Sequence, residues 1–430
     1  MPASPSTARR INDRLALRLL QSEGPLTAGQ LKQLTGLSRP TVADLVERLQ
    51  DSGLIAVVGE TGADRRGPNA RLYGLVADRA HLAALDVRTE GVTVAVADLL
   101  GTVLAEASAP IGGDTGTGHA VERAVALVER AALDAGAGPL HSVGIGAPGL
   151  IDPATGELRR TSGLPAWHRR LVAALQERLP ARVLVENETN LAALAEQREG
   201  AATDRDTFVL LWLGHGVGAA VVLDGALRRG ASGGTGEIGF LPVPGTDGLP
   251  SATACDGGFH SLAGSAAIAE LAARHGLVAP AEPYEPPAAA LVREAVATGA
   301  APFLDELAAR LAVGAASVTA VLDPGCVVLG GEIGHAGGDA LAARVADRLA
   351  AMSPLPTEVR AGLLGGAAVL RGALFTARDA AQDDVFDPTP GQTPAQAPAR
   401  SPRTPRTPHT PLRTPAAPTT PRPLRVAARD

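Results

Sequence analysis

Ser38, Arg39 and Thr41 gather two hydroxyls and a guanidinium within four positions, and Arg65 and Arg66 add two more guanidinia in a later polar stretch. Such groups donate hydrogen bonds to phosphate oxygens and to the acceptor edges of bases, and arginine can do so through two parallel N–H groups. The chemistry they suit is non-covalent recognition of an anionic polymer. Residues 1–78 contain ten Lys or Arg against eight Asp or Glu, a mildly positive segment in a chain of formal net charge −6. That contrast suits a few placed arginines rather than a broad basic field.

The surrounding residues specify a frame for these groups. Thr27-Ala28-Gly29-Gln30 is a Thr-x-x-Gln capping box, in which the hydroxyl and the side-chain amide satisfy N–H groups that a helix start leaves unpaired. Leu31 and Leu34 follow as an apolar stripe, and Gly36 supplies a tight exit. Ser38 caps a second helix with Pro40 in its first turn, a buried face of Val42, Leu45, Val46 and Leu49, and Gly53 at its end. Two short strands, 54–58 and 70–73, then flank a polar tip, 59–69, which carries Arg65 and Arg66. This order matches a winged helix-turn-helix, which lays its second helix in the major groove and its wing on the backbone. Ser38, Arg39, Thr41, Arg65 and Arg66 are the predicted DNA contacts. A small helical domain that binds another protein is the plainer alternative, and the exposed donors argue against it.

A chain of 430 residues exceeds one ordinary core and predicts two or three domains. Hydrophobic residues make up 45% but aromatics only 2%, so Leu, Val and Ala must fill the interior. Two cysteines, Cys255 and Cys326, are too few for a disulfide framework. The amino terminus lacks an apolar leader, and the longest apolar stretch, 208–223, is broken by Gly214, His215, Gly216 and Gly218. The expectation is a cytoplasmic protein without a membrane partner. Beyond residue 78, strand-like and helix-like patterns alternate, which predicts an α/β domain over 79–382, and no internal repeat is evident. From 383 to 430 the composition turns to Pro, Thr, Ala and Arg, with seven Thr-Pro dipeptides, and predicts a disordered tail.

Several motifs in this middle segment carry a family resemblance. Gly144-Ile-Gly-Ala-Pro-Gly149, Val185-Glu-Asn-Glu-Thr-Asn190, Leu213-Gly-His-Gly-Val-Gly218, the run from Arg229 to Gly239, and Asp323-Pro-Gly-Cys-Val-Val-Leu-Gly-Gly331 resemble the ROK family of sugar kinases and sugar-responsive repressors. The resemblance covers roughly residues 80–375, and the winged-helix segment resembles its repressor branch. It implies an actin-like (ribonuclease-H-like) ATPase fold of two lobes with a ligand cleft between them.

It also implies an inactive kinase. Where the family's kinases have Asp-x-Gly-Gly-Thr-Lys, this chain has Asp86-Val87-Arg88-Thr89-Glu90-Gly91, with side chains where backbone must approach phosphate and a carboxylate beside it. Glu188 replaces the family's general-base Asp, and a carboxylate displaced by about 1 Å costs on the order of 100-fold in rate. ATP is therefore not an expected cofactor. Asn187, Glu188 and Glu237 match family positions that hydrogen-bond sugar hydroxyls, and they are the predicted effector contacts. Asn187 and Glu188 can equally be read as caps of the helix that follows. Phe240 replaces a family His, and the family's zinc segment has become Thr253-Ala-Cys255-Asp-Gly-Gly-Phe-His260, so no zinc is expected. Trp167 matches a family Trp and reads as core. The combined expectation is a homodimeric or higher homo-oligomeric transcriptional repressor that binds operator DNA and a sugar or sugar-derived effector. The alternatives are an active carbohydrate kinase with a DNA-binding appendage, and a regulator with a vestigial pocket.

Overall fold

The computed structural model describes residues 5–61, 70–112, 115–159, 166–246, 248–251, 257–280 and 285–386. It opens with helix α1 (Pro5–Ser22), which buries Ala16, Leu17 and Leu20 and was not among the elements read from the sequence. Strand β1 (Leu26–Thr27) leads into α2 (Ala28–Thr35), and the Thr27–Gln30 capping box forms in both directions. Gly36 ends α2 at φ 69°, a left-handed conformation that costs glycine nothing. Leu34 corrects the predicted stripe: it is 49% exposed, because three residues past buried Leu31 it lies about 60° round the helix. Helix α3 (Arg39–Asp51) buries Val42, Leu45, Val46 and Leu49 as predicted. Strands β2 (Ile55–Thr61) and β3 (Ala70–Leu75) form the wing, with β3 central between β1 and β2.

The first lobe follows a short turn, Ala77–Arg79. Strands β4 (His81–Arg88), β5 (Gly91–Asp98) and β6 (Val103–Pro110) run antiparallel. Helix α4 (Thr117–Asp134), β7 (Leu140–Ala147), α5 (Trp167–Arg178) and β8 (Arg182–Asn187) complete a sheet of order β6-β5-β4-β7-β8, with β4, β7 and β8 parallel. Helix α6 (Glu188–Glu199) crosses to the second lobe, where β9 (Phe208–Leu213), β10 (Val217–Leu223) and β11 (Ala226–Arg228) run antiparallel. After α7 (His260–Ala263), α8 (Ser265–Arg274), α9 (Pro287–Thr298) and α10 (Ala301–Leu322) come β12 (Cys326–Gly330), α11 (Gly331–Met352) and β13 (Glu358–Ala361). The second sheet has the order β11-β10-β9-β12-β13, so its strands repeat the order of the first. The sequence hid this repeat because topology, not residue identity, is duplicated.

Helix α12 (Ala368–Phe386) packs on β4, β7 and α6. Gly144 allows this, since a Cβ there would stand 2.1 Å from the Ala373 carbonyl oxygen. One buried cluster runs from α1–α3 through Leu99, α12 and α6 to the inner face of the second sheet. The expected boundary at 382 is corrected accordingly: α12 continues to Phe386, which is 4% exposed, and Asp383 pairs with Arg14 at 3.2 Å and Arg18 at 2.5 Å. The remainder of the predicted tail lies outside the described residues.

Candidate functional site

The amino-terminal module presents α3 as an open edge. Ser38 caps the helix, its Oγ accepting from the Thr41 N–H at 3.4 Å, and the two hydroxyls are 2.8 Å apart. Ser38, Arg39 and Thr41 are all exposed on the first turn, so the structure brings these three predicted contacts together. At the other end Arg48 donates to Asp13 of α1 at 2.6 Å and to Asp44, which fixes α3 against α1. Arg65 and Arg66, at the wing tip, lie outside the described residues.

The cleft is framed by the two equivalent hairpin turns of the lobes. His215 of the β9–β10 turn stands 3.6 Å from Glu90 of the β4–β5 turn. Beside them Arg88 makes the firmer bridge. Its Nε donates to Asp86 at 2.9 Å, Nη1 to Glu332 at the start of α11, and Nη2 to the Gly366 carbonyl oxygen at 3.0 Å. The Asp86 and Glu332 side chains are only 7% and 4% exposed, so both charges depend on this guanidinium. Burial raises the Asp86 pKa against the pull of Arg88, while the two carboxylates raise that of Arg88 despite its burial. The Arg88 carbonyl oxygen accepts from His168 Nε2 at 3.3 Å. Burial lowers His168 to about 4, so the imidazole is neutral at physiological pH.

Two cavities, of about 610 Å³ and 230 Å³, share Asp86, Arg88, Thr89, His215 and Glu332 as walls. Arg88 and its partners therefore stand between them. Glu188 lines the smaller one, with Oε2 buried and without a partner. Burial first, then Asp86 and Glu237, pushes Glu188 up to about 8 against the attraction of Arg88. Glu237 is exposed, at the cap of the turn Ile238–Phe240. Asn187 has a different occupation. Its Oδ1 accepts from the N–H groups of Thr189 at 2.9 Å and Asn190 at 3.3 Å, and its Nδ2 donates to the Gly149 carbonyl oxygen at 3.0 Å. It caps α6 and holds the Pro148–Gly149 turn; the cap reading of Asn187 is thus what the geometry displays. Glu186, just before it, anchors Arg229 at 2.6 Å.

Trp167 is 3% exposed and meets His168 edge-on, in the core role expected of it. His260 meets Phe240 edge-on, with ring centroids 5.5 Å apart. Cys255 lies outside the described residues, and among those described no group of three His, Cys, Asp or Glu could hold a metal ion. No described helix is long and apolar enough to cross a membrane.

The model of the ROK family matches residues 82–380. The chain belongs to the ROK family. A MarR family model matches residues 11–67, spanning α1 to the wing. The DNA-binding transcriptional dual regulator NagC of Escherichia coli (strain K12) is 27% identical over 247 residues, covering 55% of this chain and 58% of that protein. A glucokinase of Halalkalibacterium halodurans is 28% identical over 214 residues, covering 46% and 63%. The chain thus spans less than two thirds of the length of these relatives. A solved ROK family transcriptional regulator, a homologue of the E. coli MLC protein, superposes with a TM-score of 0.69 at 22% identity, covering 88% of this chain and 98% of that one. Its fold, a winged helix followed by two actin-like lobes, is the fold of this chain.

Repressors and kinases both occur among these ROK relatives, so the chemistry must be read from this cleft. Arg88 stands at the end of β4, beside the β4–β5 turn, and closes the wall between the two cavities. Its partner Glu332 was not a predicted site residue, nor were Trp212 and His215, which line the smaller cavity. The Gly330-Gly331-Glu332 segment had shown only its glycines, and nothing local pairs residues 244 positions apart.

Proposed function

We propose that this ROK protein is a sequence-specific DNA-binding repressor, controlled by a sugar or sugar-derived effector in the cleft, and that it does not phosphorylate sugars. The observation that carries the reading is Arg88, held between Asp86 and Glu332 in the phosphate-loop position of a chain that also bears a winged helix. A guanidinium so engaged fills space that a nucleotide's phosphates require, and the carboxylates around it repel them. Ser38, Arg39 and Thr41 read the operator, with Arg65 and Arg66 on its backbone. Glu188 and Glu237 contact the effector, while Asn187 positions the turn beside it. An effector acts only through different affinities for two arrangements of the protein. The reading includes a homodimer, because operators mirror a protein two-fold axis, and neither bound zinc nor ATP.

The test pairs two assays on the full chain. Fluorescence anisotropy with DNA from upstream of its own coding region should show salt-dependent, saturable binding that one member of a sugar panel releases. ATP consumption with the same sugars should stay at background. Sugar-dependent ATP consumption would instead establish the kinase reading, which the glucokinase similarity keeps in view.

A further inference from the structure

The smaller cavity has more acidic than basic side chains in its described wall. Asp86, Glu188 and Glu332 line it, Glu237 lies near enough to act on Glu188, and the facing basic side chains are the Arg88 guanidinium and the His215 imidazole. Both are already engaged, Arg88 with Asp86 and Glu332, and His215 with Glu90. Glu188 Oε2 is left buried and without a partner, an arrangement that costs stability until a ligand donor reaches it. Trp212, Val87, Pro148 and Val369 supply apolar wall around these acids.

Three ligand chemistries can be weighed against this lining. A phosphoryl group would meet carboxylates with no free cation among the described lining residues to receive it. A neutral hydroxyl would give Glu188 a hydrogen bond and no charge. An ammonium would give both, beside an indole of the kind that attracts organic cations. We propose that the cleft takes an amine-bearing sugar or polyol, its ammonium seated on Glu188, and excludes phosphorylated sugars. This rests on the effector reading above and names the class of ligand within it. Burial pushes Glu188 up to about 8, which favours its protonated form at neutral pH. An arriving ammonium favours its ionised form, so binding releases a proton.

Isothermal titration of the full chain decides the matter, with glucosamine, galactosamine and mannosamine each set against its neutral parent hexose, and glucosamine 6-phosphate as the anionic probe. The expected result is one amine binding at least about tenfold tighter than its parent, the phosphate not binding, and proton release when the titration is repeated in buffers of different ionisation enthalpy. Glu188→Gln, which keeps the size and removes the charge, should reduce the amine to the affinity of its parent. The wild-type panel is decisive even if that variant fails to fold. A parent hexose or the phosphate binding as tightly as the amine overturns the inference and leaves the effector reading standing. Silence from every sugar overturns both.

Discussion

Replacing Arg88 by alanine should damage the protein in a way that depends on pH. The substitution removes the only guanidinium bonded to Asp86 and Glu332 among the described residues, and leaves two carboxylates, 7% and 4% exposed, without a counter-charge. Breaking a buried pair from one side costs about 3–5 kcal/mol, and the lost bond to the Gly366 carbonyl lies within that figure. The sign of the pH effect follows from the direction of the shifts. Burial already raises Asp86 against the pull of Arg88, so without Arg88 its folded pKa rises further. Unfolded carboxylates ionise near pH 4. A group with a raised folded pKa has its contribution intact below the unfolded value and loses it as pH climbs through the folded one. The deficit of Arg88→Ala should thus be small near pH 4 and grow as pH climbs through the raised folded pKa of Asp86. Urea unfolding of wild type and variant at several pH values measures it. A combined Asp86→Asn, Arg88→Met, Glu332→Gln variant should recover most of the loss, because no charge is then stranded. Equal stability of Arg88→Ala and wild type at pH 8, or a deficit indifferent to pH, refutes the reasoning.

The other expectations concern the remaining elements. Arg39→Ala should weaken specific operator binding by about 1–3 kcal/mol and blur base preference, whereas Arg65→Ala or Arg66→Ala should weaken all DNA binding and flatten its salt dependence; anisotropy at several salt concentrations separates the two. Asn187→Ala should lower stability by about 0.5–2 kcal/mol through loss of the α6 cap, and a shifted effector midpoint without a stability loss contradicts the cap assignment. Truncation after Asp387 should leave the melting temperature unaltered. Truncation after Gln382, which removes Asp383 and Phe386, should lower it.

Local chemistry made the amino-terminal module readable. The capping box at Thr27, the cap at Ser38 and the four buried positions of α3 are all decided within a few residues, and each stands where the sequence put it. Helix α1 escaped because four arginines are interspersed among its apolar residues, and its burial is defined by α2, α3, β3 and α12. The motif glycines were equally legible. The cleft was less so. Asn187 offered the same local signal as cap and as ligand, and only the Gly149 carbonyl shows how its amide is engaged. Arg88 looked like the mere loss of a glycine, since its meaning resides in Glu332 and Gly366, far along the chain.

Helix α12 has a mechanical consequence. Its leading end abuts the Gly366 carbonyl held by Arg88 and contributes Val369 to the cavity wall, while its trailing end is clamped to α1 through Asp383. The 19 residues between make a rod of roughly 28 Å. A rod of that length is a lever: a tilt of about 5° at the cleft moves the far end by about 2.5 Å. That displacement would be passed to α1, the helix against which Arg48 braces α3.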